Sequence, residues 1–273
     1  MKRRVWIIGP VAIDRVAYID QLPIPGSFTR PTRIVERIGG SSGNVALALA
    51  ELGVETGFIG YIGDDEEGRK IEKRFTESKI KNLYLKKIEG KSNSALVMVD
   101  SAGERTIVAL TDNHLAEISL EGIPIESNDI VVFSLWRSFF IEHLKTVQAL
   151  GCITVVGLEA LTDSHVARAD FAVGSEVELY GANPDNHLDR FPTIVVTRGP
   201  SGIDQYRESD QLHQDALVAK VVDTTGAGDS FLAGYLSYLA ADLADLRSAL
   251  RYGAEWAAAT VAIEGSEPAR PPL

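Results

Sequence analysis

The order of apolar and polar positions divides the chain into short apolar runs and longer amphipathic stretches. "RVWIIG" (4–9) is a continuous apolar run stopped by Gly9-Pro10, the pattern of a strand buried on both faces. "ETGFIGYIG" (55–63), "DIVVFSL" (129–135), "CITVVGL" (152–158), "ADFAVGS" (169–175), "TIVVTRG" (193–199) and "GIDQYRES" (202–209) also read as strands. Between them the spacing shifts to the helical period. "NVALALAELG" (44–53), stopped by Gly53, "EEGRKIEKRFTESKI" (66–80) and "SFFIEHLKTVQALG" (138–151) predict helices. Two more helical stretches follow, 229–243 and roughly 245–263. Strands alternating with helices over short connections predict an α/β fold: a doubly wound, mostly parallel sheet flanked by helices.

Two regions break that rhythm. "RVAYIDQLPIPG" and "RPTRIVERIGG" look extended, and "SALVMVDSAGERTIVAL" (94–110) alternates around Ala102-Gly103 as a hairpin does. They predict a small accessory sheet, a lid built from residues about 15–38 and 93–110. With no internal repeat or long linker, residues 1–273 read as one domain carrying that lid.

Composition narrows the partners. The net charge of −11 argues against nucleic acid or an anionic membrane. It also means that an anionic ligand must be held by local dipoles or a metal. Cys152 is the sole cysteine, which excludes an intrachain disulfide and fits a reducing, cytoplasmic setting. The apolar run after "MKRR" is too short for a signal segment, and no later run approaches a membrane span. The five histidines (114, 143, 165, 187, 213) show no metal-ligand spacing.

The chemistry concentrates in "DTTGAGDSFLAGYL" (223–236). Phe231, Tyr235, Leu236, Leu239 and Leu243 recur at helical spacing, which puts a helix start near Asp229. Free N–H groups at that start, approached over glycines, can cradle a phosphate. There is no lysine after the glycines, so this is not a Walker loop, and Phe231 stands where a dinucleotide fingerprint needs its third glycine. On spacing alone, a glycine turn with Asp229 as a simple N-cap is an equal alternative.

"DTTGAGDSFLAGY" resembles the C-terminal signature of the ribokinase-like (PfkB) carbohydrate kinases, and "GGSSGNVALALAELG" (39–53) resembles their N-terminal signature. "GYIGDDEEGRKI" (60–71), "ALVMVDSAGERTI" (95–107) and "VTRGPSG" (196–202) resemble further family stretches, in the family's order. The resemblance implies a doubly wound domain with a β-sheet lid that transfers the γ-phosphoryl group of ATP to an alcohol. It implies Asp229 as the base, with the N–H groups of Gly226, Ala227 and Gly228 as the anion hole. It places Asp14, Gly39, Gly40 and Asn44 on the acceptor and Thr197, Gly199 and Gly202 on the nucleotide. Glu178 matches the glutamate that orders water around Mg²⁺. Ser175 departs from the asparagine that usually precedes it by three. Asp223 and Thr225 match a loop that often holds a monovalent cation. The partner segment "TVAIEGSEPA" (260–269) matches weakly, with Ala269 lacking a hydroxyl, so K⁺ stays open.

For the acceptor, Ala12 stands where ribokinase has an amide, and "FSLWRS" lacks an acid. Trp136 and Arg137 offer a stacking surface or an edge cover. The sequence therefore points to a kinase for a sugar or sugar-like molecule. A nucleoside kinase of the same family and a catalytically silent sugar- or nucleotide-binding regulator remain alternatives. A nicotinamide enzyme is disfavoured because "WIIGPVAID" lacks the glycine spacing. The lid's open edges need covering, which leads to an expected homodimer through it.

Overall fold

In the computed structural model, which describes residues 3–111 and 118–265, the apolar runs become the strands of one large sheet. The strands are β1 (Val5–Ile8), β4 (Thr56–Gly63), β5 (Asn82–Ile88), β8 (Ile130–Phe133), β9 (Ile153–Val156), β10 (Phe171–Ser175), β11 (Thr193–Thr197), β12 (Ile203–Tyr206) and β13 (Gln211–Gln214). Their order is β13-β12-β11-β10-β9-β8-β1-β4-β5. Pairing from β11 through to β5 is parallel, and among the described strands β12 alone runs against the others, pairing antiparallel with both β11 and β13. The order reverses between β1 and β8, and a crevice at such a switch point is where open α/β sheets bind ligands.

The helices are α1 (Ser41–Glu51), α2 (Glu66–Thr76), α3 (Ile141–Ala149), α4 (Ala227–Ala241) and α5 (Leu246–Val261). Alternate residues of the buried strands feed two cores. Ile7, Phe58, Val132 and Val195 pack with α1, α2, α4 and α5 on one face. Trp6, Ile8, Phe133 and Val196 pack with α3 and the neighbouring loops on the other. Each such side chain taken fully from water contributes about 1.5–3 kcal/mol. On α4, Phe231 stacks on Tyr235 with ring centroids 5.8 Å apart. The doubly wound, mostly parallel arrangement is the expected one.

The lid is a separate four-stranded sheet, β3-β2-β6-β7, made of β2 (Ala12–Tyr18), β3 (Arg33–Gly39), β6 (Asn93–Val99) and β7 (Arg105–Ala109). β2 pairs antiparallel with β3 and parallel with β6, and β6 and β7 form the anticipated hairpin. The first lid strand begins at Ala12, three residues before the expected Arg15.

Two helix starts also differ from expectation. α1 begins at Ser41 rather than Asn44, whose N–H donates to the Gly40 carbonyl from inside the helix. α4 begins at Ala227 rather than Asp229. Gly226, at φ 77°, is its N-cap, a left-handed conformation that glycine adopts without strain. Asp229 thus sits in the first helical turn and does not cap it. No helix among the described residues is long and apolar enough to cross a membrane.

Candidate active site

The C-terminal ends of β1, β9, β10 and β11, the lid and the starts of α1 and α4 converge on one region. Asp229 is its hub. Its Oδ1 accepts from Ser41 Oγ at 2.7 Å and its Oδ2 from Asn44 Nδ2 at 2.8 Å. Asn44 therefore orients Asp229, a partner the sequence did not indicate. Burial pushes the Asp229 carboxyl above its ordinary range, opposed by these two hydrogen bonds and the Arg105 charge. At the turn before it, Gly228 is exposed and Gly226 and Ala227 are half-buried, so the backbone is open to a ligand. Of the three expected donors, the Ala227 N–H makes a long 3.3 Å contact with the Thr224 carbonyl. The first-turn N–H groups of a helix lack an intrahelical acceptor.

Asp14, on β2, is 9% exposed. Its carboxylate lies so close over Gly39 that a Cβ there would fall 1.9 Å from Oδ2, so Gly39 is required by close approach. Burial lifts the Asp14 carboxyl to about 6, with Arg37 lowering it and Asp229 raising it further. Gly40 N-caps α1 beside them. Asp14, Gly39, Gly40, Asn44 and Asp229 thus form one polar corner.

Glu178 follows β10. Ser175 and Glu178 form a reciprocal capping box, the Ser175 N–H donating to Glu178 Oε2 at 2.8 Å. Burial first, then the Glu159 and Asp229 charges, lift Glu178 to about 7, against the Ser175 hydrogen bond and Arg105. Glu159, not anticipated from the sequence, has a buried Oε2 without a hydrogen-bond partner among the described residues. Cβ atoms at Gly157 and Gly174 would meet the Glu159 and Glu178 carboxylates at 2.4 and 2.3 Å, so the glycines leave room for both acids. Among the described residues no group of three or more ligands could cage a metal directly. Two carboxylates with an orphaned oxygen fit Mg²⁺, which keeps most of its waters and binds through one or two acids plus phosphate.

On the nucleotide side, Thr197 lies beside Ser175 across the β10–β11 pair and donates to the Gly174 carbonyl at 3.2 Å. Gly199 is exposed with open space beside its Cα. Gly202 is buried, and a Cβ there would strike the Gln214 carbonyl at 2.3 Å, so packing alone accounts for its identity.

Two further side chains reach in from the lid. Arg105 of β7 donates to the Thr224 carbonyl at 2.8 Å, while Thr224 Oγ1 donates to the Gly103 carbonyl at 3.1 Å. Arg105 lies inside "ALVMVDSAGERTI" and was legible there only as part of a matching stretch. Arg37 of β3 meets Asp223.

Trp136 does not offer a stacking face. It is 2% exposed, packed edge-on to Phe133, with its indole N–H donated to Asp163 at 3.0 Å. The burial of its ring removes one argument for a nucleoside acceptor. Ala269 and His114 lie outside the described residues.

Comparisons with known proteins identify the family. The model of the "pfkB family carbohydrate kinase" matches residues 2–149 and 176–271. A fructokinase of Klebsiella pneumoniae is 27% identical over 88% of this chain and 86% of its own length. A ribokinase of Staphylococcus aureus (strain COL) is 25% identical over 100% of this chain and 98% of its own. In structure, a nucleoside kinase of Burkholderia thailandensis, solved with inosine, superposes with TM-score 0.84 at 18% identity, covering 96% of this chain and 92% of that one. It shares the fold. The chain belongs to the pfkB family of carbohydrate kinases, phosphotransferases with an alcohol group as acceptor.

Proposed function

We propose that this protein transfers the γ-phosphoryl group of ATP to a hydroxyl of a sugar or sugar-like small molecule, with Mg²⁺ as the metal. The observation that carries the reading is the setting of Asp229. It follows directly on an accessible Gly-Ala-Gly turn, is held by Ser41 and Asn44, and shares its corner with Asp14. A carboxylate there can take the acceptor proton while the turn's N–H groups meet the charge that builds on the transferring phosphoryl. Asp14 can accept from two vicinal hydroxyls of the acceptor. Gly39 and Gly40 leave space for the ring. Thr197 and Gly199 lie on the nucleotide side. Glu178, with Glu159, would hold Mg²⁺ through water, and the bound ion would neutralise phosphate charge. The buried Trp136 offers no stacking face for a nucleoside base.

A coupled assay for ADP release over sugars, sugar alcohols, sugar acids and nucleosides tests this. The expected result is Mg²⁺-dependent turnover with one or a few polyhydroxy acceptors and little with nucleosides. Tight ATP binding without turnover on any of them would favour the silent regulator. Preference for a nucleoside would overturn the sugar assignment.

The lid also supports a homodimer. Ile34, Ile107 and Val108 on its strands are 63%, 56% and 45% exposed. A second copy would cover them and the open sheet edges. Sedimentation showing only monomer at micromolar concentration would contradict this.

A further inference from the structure

Arg37 belongs to no motif that the sequence singled out. It stands on β3 directly opposite Asp14 on β2, so the two side chains leave the same face of the lid. That face meets the start of the glycine turn, where Arg37 Nη2 lies 3.4 Å from Asp223 Oδ2. The Arg37 side chain is 15% exposed and that of Asp223 is 1% exposed. A carboxylate buried to that degree stays ionised only if its charge is met.

The donors around Asp223 show how it is met. Thr225 N–H donates to Oδ1 at 2.8 Å. Oδ2 takes Gly265 N–H at 3.2 Å, Tyr18 Oη at 3.4 Å and the Arg37 guanidinium. Of these donors, among the described residues, only the guanidinium carries a formal charge. Burial pushes the Asp223 carboxyl up, yet the Thr225 hydrogen bonds, the Arg37 charge and the Gly265 N–H together hold it below its ordinary range.

The monovalent cation implied by resemblance at Asp223 and Thr225 does not fit this donor set. Both carboxylate oxygens are already engaged, which among the described residues leaves the buried, unpartnered Thr225 Oγ1 as the spare side-chain oxygen there, and a second cation would sit against the guanidinium. The lid has carried the positive charge to the place where a soluble ion would otherwise be needed. The same guanidinium also lowers Asp14, so it faces the acceptor corner and the anion-binding turn together. Its Nε is buried without a partner among the described residues, a cost the fold retains.

We propose that Arg37 is a positioning residue: the fixed cation of the glycine turn, fastening the lid to Asp223 and making the site independent of monovalent ions. The proposal rests on the kinase reading and deepens it. Through Asp223 and the Thr225 N–H, it braces the backbone that leads into Gly226–Gly228.

The test is nucleotide binding, measured without an acceptor. Calorimetry with a non-hydrolysable ATP analogue and Mg²⁺ is run in N-methyl-D-glucamine chloride and in KCl at equal ionic strength. Wild type should bind equally in both, within about twofold. Arg37→Ala should bind about tenfold more weakly in N-methyl-D-glucamine chloride, a loss of about 1.4 kcal/mol, and recover most of it in KCl or with added guanidinium. Arg37→Lys should lie near wild type in both salts.

A wild type that needs K⁺ overturns the proposal. So does an Arg37→Ala protein that matches wild type, or one that is weakened equally in both salts without rescue. If Arg37→Ala does not fold, Arg37→Lys and the wild-type salt comparison decide. Absence of nucleotide binding by wild type in either salt would overturn the kinase reading itself. Loss of the salt pattern alone overturns only the role of Arg37.

Discussion

Glu178→Gln should make the protein more stable, and more so as pH rises. The reason is linkage. Glu178 has its carboxyl lifted from 4.5 to about 7 in the folded state, chiefly by burial and then by Glu159 and Asp229. The folded protein therefore holds a proton that the unfolded chain has already lost. Such a group contributes stability that is fully present below the unfolded value and lost as pH climbs through the folded one. The displacement corresponds to about 3 kcal/mol, and partial exposure of the side chain trims this to about 2–3 kcal/mol across pH 4.5–8. Asp14, lifted from 3.8 to about 6, adds a change of the same sign in both proteins. Glutamine keeps an oxygen for the Ser175 N–H, so the capping box survives while the charge does not.

The assay is thermal melting of wild type and Glu178→Gln, metal-free, between pH 5 and 8. The variant's advantage should grow across that range, reaching about 5 °C near pH 8 at about 2 °C per kcal/mol for a chain of this size. Parallel melting curves across the range, or a wild type that loses ground to the variant as pH falls, would refute the burial argument. Activity should move the other way, with Glu178→Gln needing more Mg²⁺.

Asp14→Ala should raise the acceptor KM by roughly ten- to a hundredfold, the loss of a charged hydrogen bond of about 1.5–3 kcal/mol, while nucleotide affinity stays unchanged by calorimetry. Arg105→Ala should lower kcat about tenfold by freeing the lid from Thr224, with stopped-time turnover as the readout. Because Arg105 lowers both Asp229 and Glu178, its loss should also move the acid limb of the pH–rate profile to higher pH; an unmoved limb would separate it from the site.

Where the sequence and the structure part, the causes are physical. The buried parallel strands were legible because both faces are apolar. β5, "NLYLKKI", was not read as a strand because it lies at the sheet edge, where Lys86 and Lys87 stay exposed. β13, "QLHQ", is polar and owes its place to antiparallel pairing with β12. The start of α4 was read two residues late because the left-handed Gly226 replaces a side-chain cap. Of the residues carried by motifs, Asp14, Gly39, Gly40, Asn44 and Asp229 share one corner, while Gly202 packs against Gln214. Ser41 and Arg37 were missed because their meaning lies in contacts with Asp229 and Asp223, more than a hundred residues away, and Glu159 because its meaning lies in the charge it sets beside Glu178. Trp136 shows the converse, a residue whose place after a strand left a pocket wall and an edge cover equally open, and whose indole closes a core.

The central claim is that Asp229 takes the acceptor proton, and Asp229→Asn tests it most directly. Since Asp229 does not cap α4, the helix start is untouched. Asparagine keeps an oxygen for Ser41 or Asn44 but cannot accept from both through a carboxylate, which costs about 1 kcal/mol. That cost is offset in part by removing a buried charge. Melting, nucleotide affinity and turnover on the best acceptor are measured on the one variant. The account predicts a melting point within a few degrees of wild type, unchanged nucleotide binding and turnover reduced by roughly 10²–10⁴. A folded variant that binds nucleotide and turns over at a near-normal rate would contradict it.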